Sequence, residues 1–334
     1  MTPIEIVREI NNKTYRPVYL LTGQEPYYID MVTDYIMKNT LTEEEKAFNQ
    51  TIFYGKDANY IDVINASRRF PMMASHQLII LREAQQMKDI DNISVYAEKP
   101  LKSTILVINY KYSTYPKSKK LYKAVQSGGG AVLESAKLYE NKVPEWIASW
   151  LARRKLSIDM DASMLLVEYL GTDLGKIANE LEKLIISLPG NEKKITPRII
   201  ENNIGISKDY NNFELQKALG QKNILRANRI INYFAENPGK NPFTLTISSL
   251  FTYFSKIFLL HFLTDKSKKN IASQLKINPY FVSEYEQAAR KYDRYKTAAV
   301  ISLLREYDMR SKGFGNSSTS DGELLKELIY KILH

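Results

Sequence analysis

The stretch Pro17-Val-Tyr-Leu-Leu-Thr-Gly-Gln-Glu-Pro-Tyr-Tyr-Ile-Asp30 has the layout of a phosphate cradle without its residues. An apolar run from Val18 to Leu21 leads into Gly23, and a helical pattern begins at Tyr27. That is the strand, glycine turn and helix grammar of nucleotide-binding loops. Counted from Gly23 as Gly-x-x-x-x-Gly-Lys-[Ser/Thr], residues Tyr28, Ile29 and Asp30 stand where the second glycine, the lysine and the hydroxyl belong. A tyrosine bars close approach of the backbone to a pyrophosphate, an isoleucine supplies no charge, and an aspartate repels phosphate. The motif predicts a nucleotide-binding scaffold whose chemistry is gone, as in a structural or regulatory member of an NTPase assembly. A single glycine after a strand is also common, so that plainer reading stays open.

Other catalytic chemistry is poorly provided for. The absence of cysteine excludes disulfides, thiol catalysis and Cys-ligated zinc, and fits a reducing, cytoplasmic setting. His76, His261 and His334 are far apart in sequence, and no metal or other cofactor is expected. Asp159 and Asp161, like Glu180 and Glu182, lie two residues apart, so within one helix neither pair shares a face. No segment has 18 uninterrupted apolar residues, and the N-terminus lacks a basic-then-apolar signal, so neither membrane insertion nor export is expected.

Binding chemistry is better represented. The net charge is +10, divided as +3 over residues 1–142, −1 over 143–210 and +8 over 211–334. A polyanion such as nucleic acid is therefore a plausible partner of the last third. Residues 109–123 interleave five lysines with four tyrosines, including Lys117, Lys119, Lys120 and Lys123. Lysines neutralise phosphates and tyrosines stack on bases, although a solvated helix face has the same composition. Lys266, Lys268 and Lys269 form a second basic patch, while Arg305, Arg310 and Lys312 flank Phe314, which stands between two glycines. Phe314 is either a stacking platform or a loop aromatic tucked onto its own domain. The loop Phe70-Pro71-Met72-Met73-Ala74-Ser75 follows the charged end of a helix at Arg68 and Arg69 and brings together four apolar side chains. These either pack under the core or serve as an anchor for a partner.

The elements that must position these residues fall into three parts. Over residues 1–142, short Ile/Val/Leu-rich runs at 18–21, 51–53, 77–81, 104–108 and 131–133 predict strands buried on both faces of a parallel sheet. Helical patterns at 27–38, 60–69 and 117–125 separate them, the last ending at Gly128-Gly-Gly130. This predicts a doubly wound α/β domain. Residues 143–210 predict a small all-helical module. Its helices run from Pro144 to Lys155, over 161–170 and over 174–188, and a fourth opens at Thr196-Pro197, with Pro189-Gly190-Asn191 as a turn. Residues 211–334 predict helices at 212–219, 224–236, 242–263, 271–275, 279–291, 295–310 and 321–333, with Gly313–Gly322 as the longest loop. Within Phe243–Leu263 the apolar spacing is that of core or inter-subunit packing, and His261 is expected to be a packed, hydrogen-bonded residue.

The chain as a whole resembles the delta subunit of the bacterial DNA polymerase III clamp loader. Beyond Pro17-Val-Tyr-Leu-Leu-Thr-Gly23, the resemblance rests on Phe70-Pro-Met-Met-Ala-Ser-His-Gln-Leu-Ile-Ile-Leu-Arg-Glu83 and Thr104-Ile-Leu-Val-Ile108. It continues through Asp173-Leu-Gly-Lys-Ile-Ala-Asn-Glu-Leu-Glu-Lys-Leu184 and Asn241-Pro-Phe-Thr-Leu-Thr-Ile-Ser-Ser-Leu-Phe-Thr-Tyr-Phe254. Asp308, Lys312 and the Leu324-Leu-Lys-Glu-Leu328 helix complete it. Each piece is weak alone, and their order and spacing make the set specific. The resemblance implies an α/β core of AAA+ type with a degenerate P-loop, a helical lid and a helical collar that holds a pentamer together. It also implies a non-catalytic subunit that binds and opens the sliding clamp through a hydrophobic wedge, matching Met72 and Met73 with Phe70 and Pro71 beside them. Its expected partners are the sliding clamp, the clamp-loader ATPase subunits, the delta-prime subunit and primed DNA within the complex.

Departures from an active AAA+ machine follow from that comparison. After Leu78-Ile-Ile-Leu81 the carboxylate pair that holds Mg²⁺ is replaced by Arg82-Glu83. An arginine-finger motif of Ser-Arg-Cys type and a four-cysteine zinc module are impossible without cysteine. Two other classes remain open from sequence alone: an atypical AAA+ NTPase, which would bind nucleotide without the lysine, and a helical DNA-binding protein, which would bind DNA by itself with a steep salt dependence.

Overall fold

The computed structural model describes residues 1–188, 190, 192–204, 209–316 and 318–334. Two compact units are resolved, Met1–Leu138 and Tyr139–His334.

The first unit runs α1 (Pro3–Asn11), β1 (Val18–Gly23), α2 (Pro26–Asn39), α3 (Glu43–Asn49), β2 (Gln50–Tyr54) and α4 (Tyr60–Ser67). It continues with β3 (Gln77–Arg82), α5 (Ser94–Ala97), β4 (Thr104–Lys111), α6 (Lys120–Ser127) and β5 (Ala131–Ser135). All five strands are parallel, in the order β2-β3-β4-β1-β5. Side chains alternate across the sheet, so Tyr19 and Leu21 join Leu78, Ile80, Ile105 and Val107 under α1 and α2. Val18 and Leu20 join Ile79, Leu81, Leu106 and Ile108 under α4, α5 and α6. Helices on both faces explain why β1, β3 and β4 read as unbroken apolar runs, whereas the edge strand β2 is half exposed. The five strands and the helices α2, α4 and α6 lie where the sequence predicts them.

Three helices were not anticipated: the four-residue α5, and α1 and α3, which both carry a capping box. Thr2 Oγ1 accepts from Glu5 N at 3.3 Å while Glu5 Oε2 accepts from Thr2 N at 2.7 Å, which starts α1. Thr42 and Glu45 do the same for α3, at 3.3 and 2.9 Å. The Thr-x-x-Glu spacing was the available signal for each.

The second unit begins with α7 (Val143–Ala152), β6 (Ser157–Ile158), α8 (Met160–Leu170), α9 (Leu174–Ser187), β7 (Lys194–Ile195) and α10 (Pro197–Ile204). The all-helical prediction for 143–210 is corrected here, because β6 and β7 form a two-stranded parallel pair. Ser157 N donates to Lys193 O and Asp159 N to Ile195 O, both at 2.9 Å, and Ile195 is fully buried. Two-residue strands carry no readable periodicity. Helix α7 also stops three residues early: Lys155 adopts φ 61°, and Leu156 N reaches back to Leu151 O at 3.1 Å, closing a Schellman turn. Pro189 and Asn191 of the predicted turn lie outside the described residues, as does Ser317 in the 313–322 loop.

The remaining helices are α11 (Asn212–Gly220), α12 (Ile224–Glu236), α13 (Phe243–Leu260), α14 (Lys268–Leu275), α15 (Val282–Lys291), α16 (Arg294–Ser311) and α17 (Asp321–Leu333). Leu250, Phe254 and Ile257 of α13 pack in one core with Ile230 and Phe234 of α12, Leu304 and Tyr307 of α16, and Leu328 and Ile332 of α17. Among the described residues α13 alone is long and apolar enough by length and composition to cross a membrane, and its inner face is committed to this core. His261 is packed as expected, with Nε2 at 2.8 Å from Tyr292 O.

Candidate functional site

The degenerate phosphate loop is closed by the protein itself. Gly23 adopts φ 146°, and a Cβ there would meet Ser135 O at 2.0 Å. The glycine thus permits close approach to the end of β5 and serves the protein's own backbone. Glu25 N donates to Ser135 O at 3.2 Å, and Ser135 Oγ donates to Glu25 O at 2.7 Å. On the other side Thr22 Oγ1 accepts from Tyr115 N at 2.6 Å. Helix α2 starts at Pro26, with Glu25 capping it through Tyr27 N at 3.0 Å, so the turn is shorter than a phosphate-wrapping loop. Ile29 is fully buried against the sheet, and the Tyr28 ring stands edge-on to Tyr27 at 5.3 Å.

Asp30 has an internal partner. Lys111 Nζ, at the end of β4, lies 2.7 Å from Asp30 Oδ1 and 3.2 Å from Glu83 Oε1. Gln85 completes the group by donating to Glu83 Oε2 at 2.6 Å and accepting from Lys111 N at 3.1 Å. Burial opposes the Lys111 ammonium, but Asp30 and Glu83 outweigh it and hold its pKa above the usual lysine value. Arg82, in place of the first acid, pairs with Asp34 at 3.4 Å. A lysine counted with the surface run 109–123 is therefore a buried counter-ion, a role that sequence spacing could not reveal.

The apolar loop between α4 and β3 projects outward. Phe70 is 80% exposed, Met72 59% and Met73 100%, with Pro71 partly buried between them. These values contradict packing under the core. Gln77, at the start of β3, fixes the base of the loop: its Nε2 reaches Ala66 O at 3.2 Å and Thr104 Oγ1 at 2.8 Å. At the tip Met73 takes a left-handed φ of 53°. The Met72 backbone is gripped from α3, whose Asn49 side chain accepts from Met72 N at 2.6 Å and donates to Met72 O at 2.9 Å. Neither Asn49 nor the neighbouring exposed Phe48 had been singled out from sequence.

The basic candidates divide by availability. Lys119, Lys120 and Lys123 are exposed at the start of α6, whereas Lys117 pairs with Glu134 at 2.8 Å. Of the interleaved tyrosines, Tyr115 and Tyr122 are buried, which removes them as stacking platforms, and Tyr112 is exposed. Lys312 pairs with Asp308 at 2.7 Å and Arg310 with Glu327 at 3.3 Å, while Phe314 is 65% exposed between Gly313 and Gly315. Both glycines have positive φ, as an outward turn requires.

A five-stranded parallel sheet ordered β2-β3-β4-β1-β5, helices on both faces and a second, largely helical unit define a doubly wound α/β protein with a helical C-terminal region. The family model described as DNA polymerase III, delta subunit, matches residues 19–133, and the model for that subunit's C-terminal domain matches residues 209–330. The chain belongs to the DNA polymerase III delta subunit family. It is 23% identical to DNA polymerase III subunit delta of Bacillus subtilis (strain 168) over 337 residues, covering 97% of this chain and 94% of that one. A solved structure of the Bacillus subtilis DNA clamp loader delta protein shares its fold, with a TM-score of 0.58 and 19% identity over 99% of each chain.

Proposed function

We propose that this chain is the non-catalytic subunit that binds the sliding clamp and helps to open it for loading onto primed DNA. The observation that carries this reading is the loop tip: two methionines are thrust into solvent on a backbone held from α3. A flexible, polarizable side chain on a fixed backbone suits insertion into an apolar pocket, because little ordering remains to oppose binding. Met72 and Met73 are the principal anchors, with Phe70 and Pro71 at their flank.

Nucleotide has no part in the chain's own chemistry on this reading. The phosphate turn is tied to Ser135, and Lys111 already neutralises Asp30 and Glu83. ATP then acts through neighbouring subunits whose arrangement aligns the wedge with the clamp. Residues 1–142 carry the clamp contact, 143–210 form the lid, and 211–334 form the collar that joins the ATPase and delta-prime subunits. Lys119, Lys120 and Lys123 are the best-placed lysines for primed DNA within the complex, with Lys117, Lys312 and Phe314 as lesser contacts. The test is capture of the cognate sliding clamp by the immobilised full chain without nucleotide. Retention of the clamp supports the proposal, and a clamp that washes through at micromolar concentration refutes it.

A further inference from the structure

The loop carrying the methionines makes almost no use of its own backbone. Among the described residues, no backbone–backbone hydrogen bond involves residues 70–76. The hydrogen bonds that reach this stretch of backbone come from the side chain of Asn49, the last residue of α3. Asn49 is 3% exposed, and both faces of its amide are committed. Oδ1 accepts from Met72 N at 2.6 Å, while Nδ2 donates to Met72 O at 2.9 Å and to Glu45 O at 3.0 Å. A primary amide can accept from the N–H and donate to the C=O of one and the same residue, so it bridges the two peptide units on either side of Met72. The grip falls immediately before Met73, whose left-handed backbone turns the side chain fully into solvent. A non-glycine residue with positive φ persists where its surroundings impose it, and the Asn49 contact is the nearest constraint.

We infer that Asn49 is the positioning residue of the clamp-binding tip: it holds the backbone N–H and C=O of Met72 so that Met72 and Met73 are presented in one conformation. The inference rests on the proposed function above and adds to it a residue that need not touch the clamp. Without the grip, the loop samples many conformations, and the clamp must order it on binding. Affinity then falls although every contacting side chain is still present.

The experiment is a titration of the full chain against the cognate sliding clamp with four variants: Asn49→Ala, Asn49→Asp, Met72→Ala/Met73→Ala, and the last combined with Asn49→Ala. Asn49→Ala is expected to weaken binding roughly tenfold. It should cost nothing further once both methionines are gone, because Asn49 acts only through them. Asn49→Asp supplies a reading that a merely structural role would not move. As a carboxylate it accepts from Met72 N but repels Met72 O, and once protonated it regains a donor. Burial of the site raises the pKa of such a carboxyl above the ordinary aspartate value of about 4, so its affinity relative to wild type should recover as pH falls from about 7 towards 4, while the ratio of wild type to Asn49→Ala stays flat.

If Met72→Ala/Met73→Ala binds the clamp like wild type, the wedge reading fails and this inference falls with it. If that variant loses binding but Asn49→Ala does not, the wedge stands and the Asn49 inference alone is overturned. Should Asn49→Ala fail to fold, the pH profile of Asn49→Asp decides: recovery on acidification supports positioning, and a profile parallel to wild type overturns it.

Discussion

Lys111 Nζ sits 2.7 Å from Asp30 Oδ1, joining the last residue of β4 to the first turns of α2 beyond the C-terminal end of the central strands, where a nucleotide-binding fold of this kind would need its charges free. Glu83, following β3, shares the same ammonium at 3.2 Å. Three charged groups that could have engaged phosphate or metal instead satisfy one another.

The isolated chain should therefore neither bind nor hydrolyse ATP at millimolar concentration. Isothermal titration with and without Mg²⁺ checks this, and a saturable, Mg²⁺-dependent heat would contradict it. Lys111→Met should not create nucleotide binding. It should destabilise the first unit by about 1–3 kcal/mol, because Asp30 and Glu83 lose their shared cation while remaining partly solvated.

Replacing Gly23 tests what its backbone is for. Gly23→Ala places a Cβ at 2.0 Å from Ser135 O at a positive φ, so β1 and β5 must separate at this end. We expect a loss of roughly 2–4 kcal/mol in urea unfolding. A neutral effect would mean that the turn is not locked to β5.

Asp91 makes the first unit acid-sensitive at a defined place. It accepts from Leu121 N at 2.8 Å and Tyr115 Oη at 2.9 Å, tying the start of α6 to the preceding loop. Burial raises its pKa, but the hydrogen bonds from Leu121, Tyr115 and Lys120 together outweigh burial and hold it below the usual aspartate value. A depressed folded pKa gives stability that is present above the unfolded value of about 4 and lost as pH falls through the folded one. Asp91→Asn should thus cost about 0.5–2 kcal/mol at pH 7, and the gap from wild type should narrow as pH falls below about 4. A gap that widens on acidification would refute this assignment.

Work should divide between the parts of the chain. A fragment of residues 1–142 is expected to bind the clamp without other subunits, since the wedge loop and Asn49 both lie within it. A fragment of residues 211–334, despite its +8 charge, should associate with clamp-loader ATPase subunits and bind DNA only weakly, with loss by about 0.2 M salt. Clamp capture by the second fragment and not the first would reverse the assignment.

The sheet was legible because β1, β3 and β4 are buried on both faces and leave continuous apolar runs, and Gly23 after Leu21 marked the turn. Helices α1 and α3 were missed because their apolar stripes are short, though Thr2 with Glu5 and Thr42 with Glu45 announced them. The methionine tip was visible as a cluster of bulky apolar side chains outside any periodic element. What escaped was whatever depends on pairing across the fold. Asn49 lies 23 residues from Met72, Lys111 far from both its acids, and Tyr115 and Tyr122 turn inward from a stretch that looks like a basic surface. No local pattern encodes such contacts, because a lysine facing solvent and one facing a buried carboxylate have the same sequence signature.

Whether Met72 and Met73 anchor this chain to the sliding clamp is decided by a titration of wild type and Met72→Ala/Met73→Ala against the cognate clamp, with unfolding curves on both. Both side chains are more than half exposed, so we expect unchanged stability together with a loss of affinity of about 30- to 1,000-fold. Equal affinity for the two proteins would contradict it.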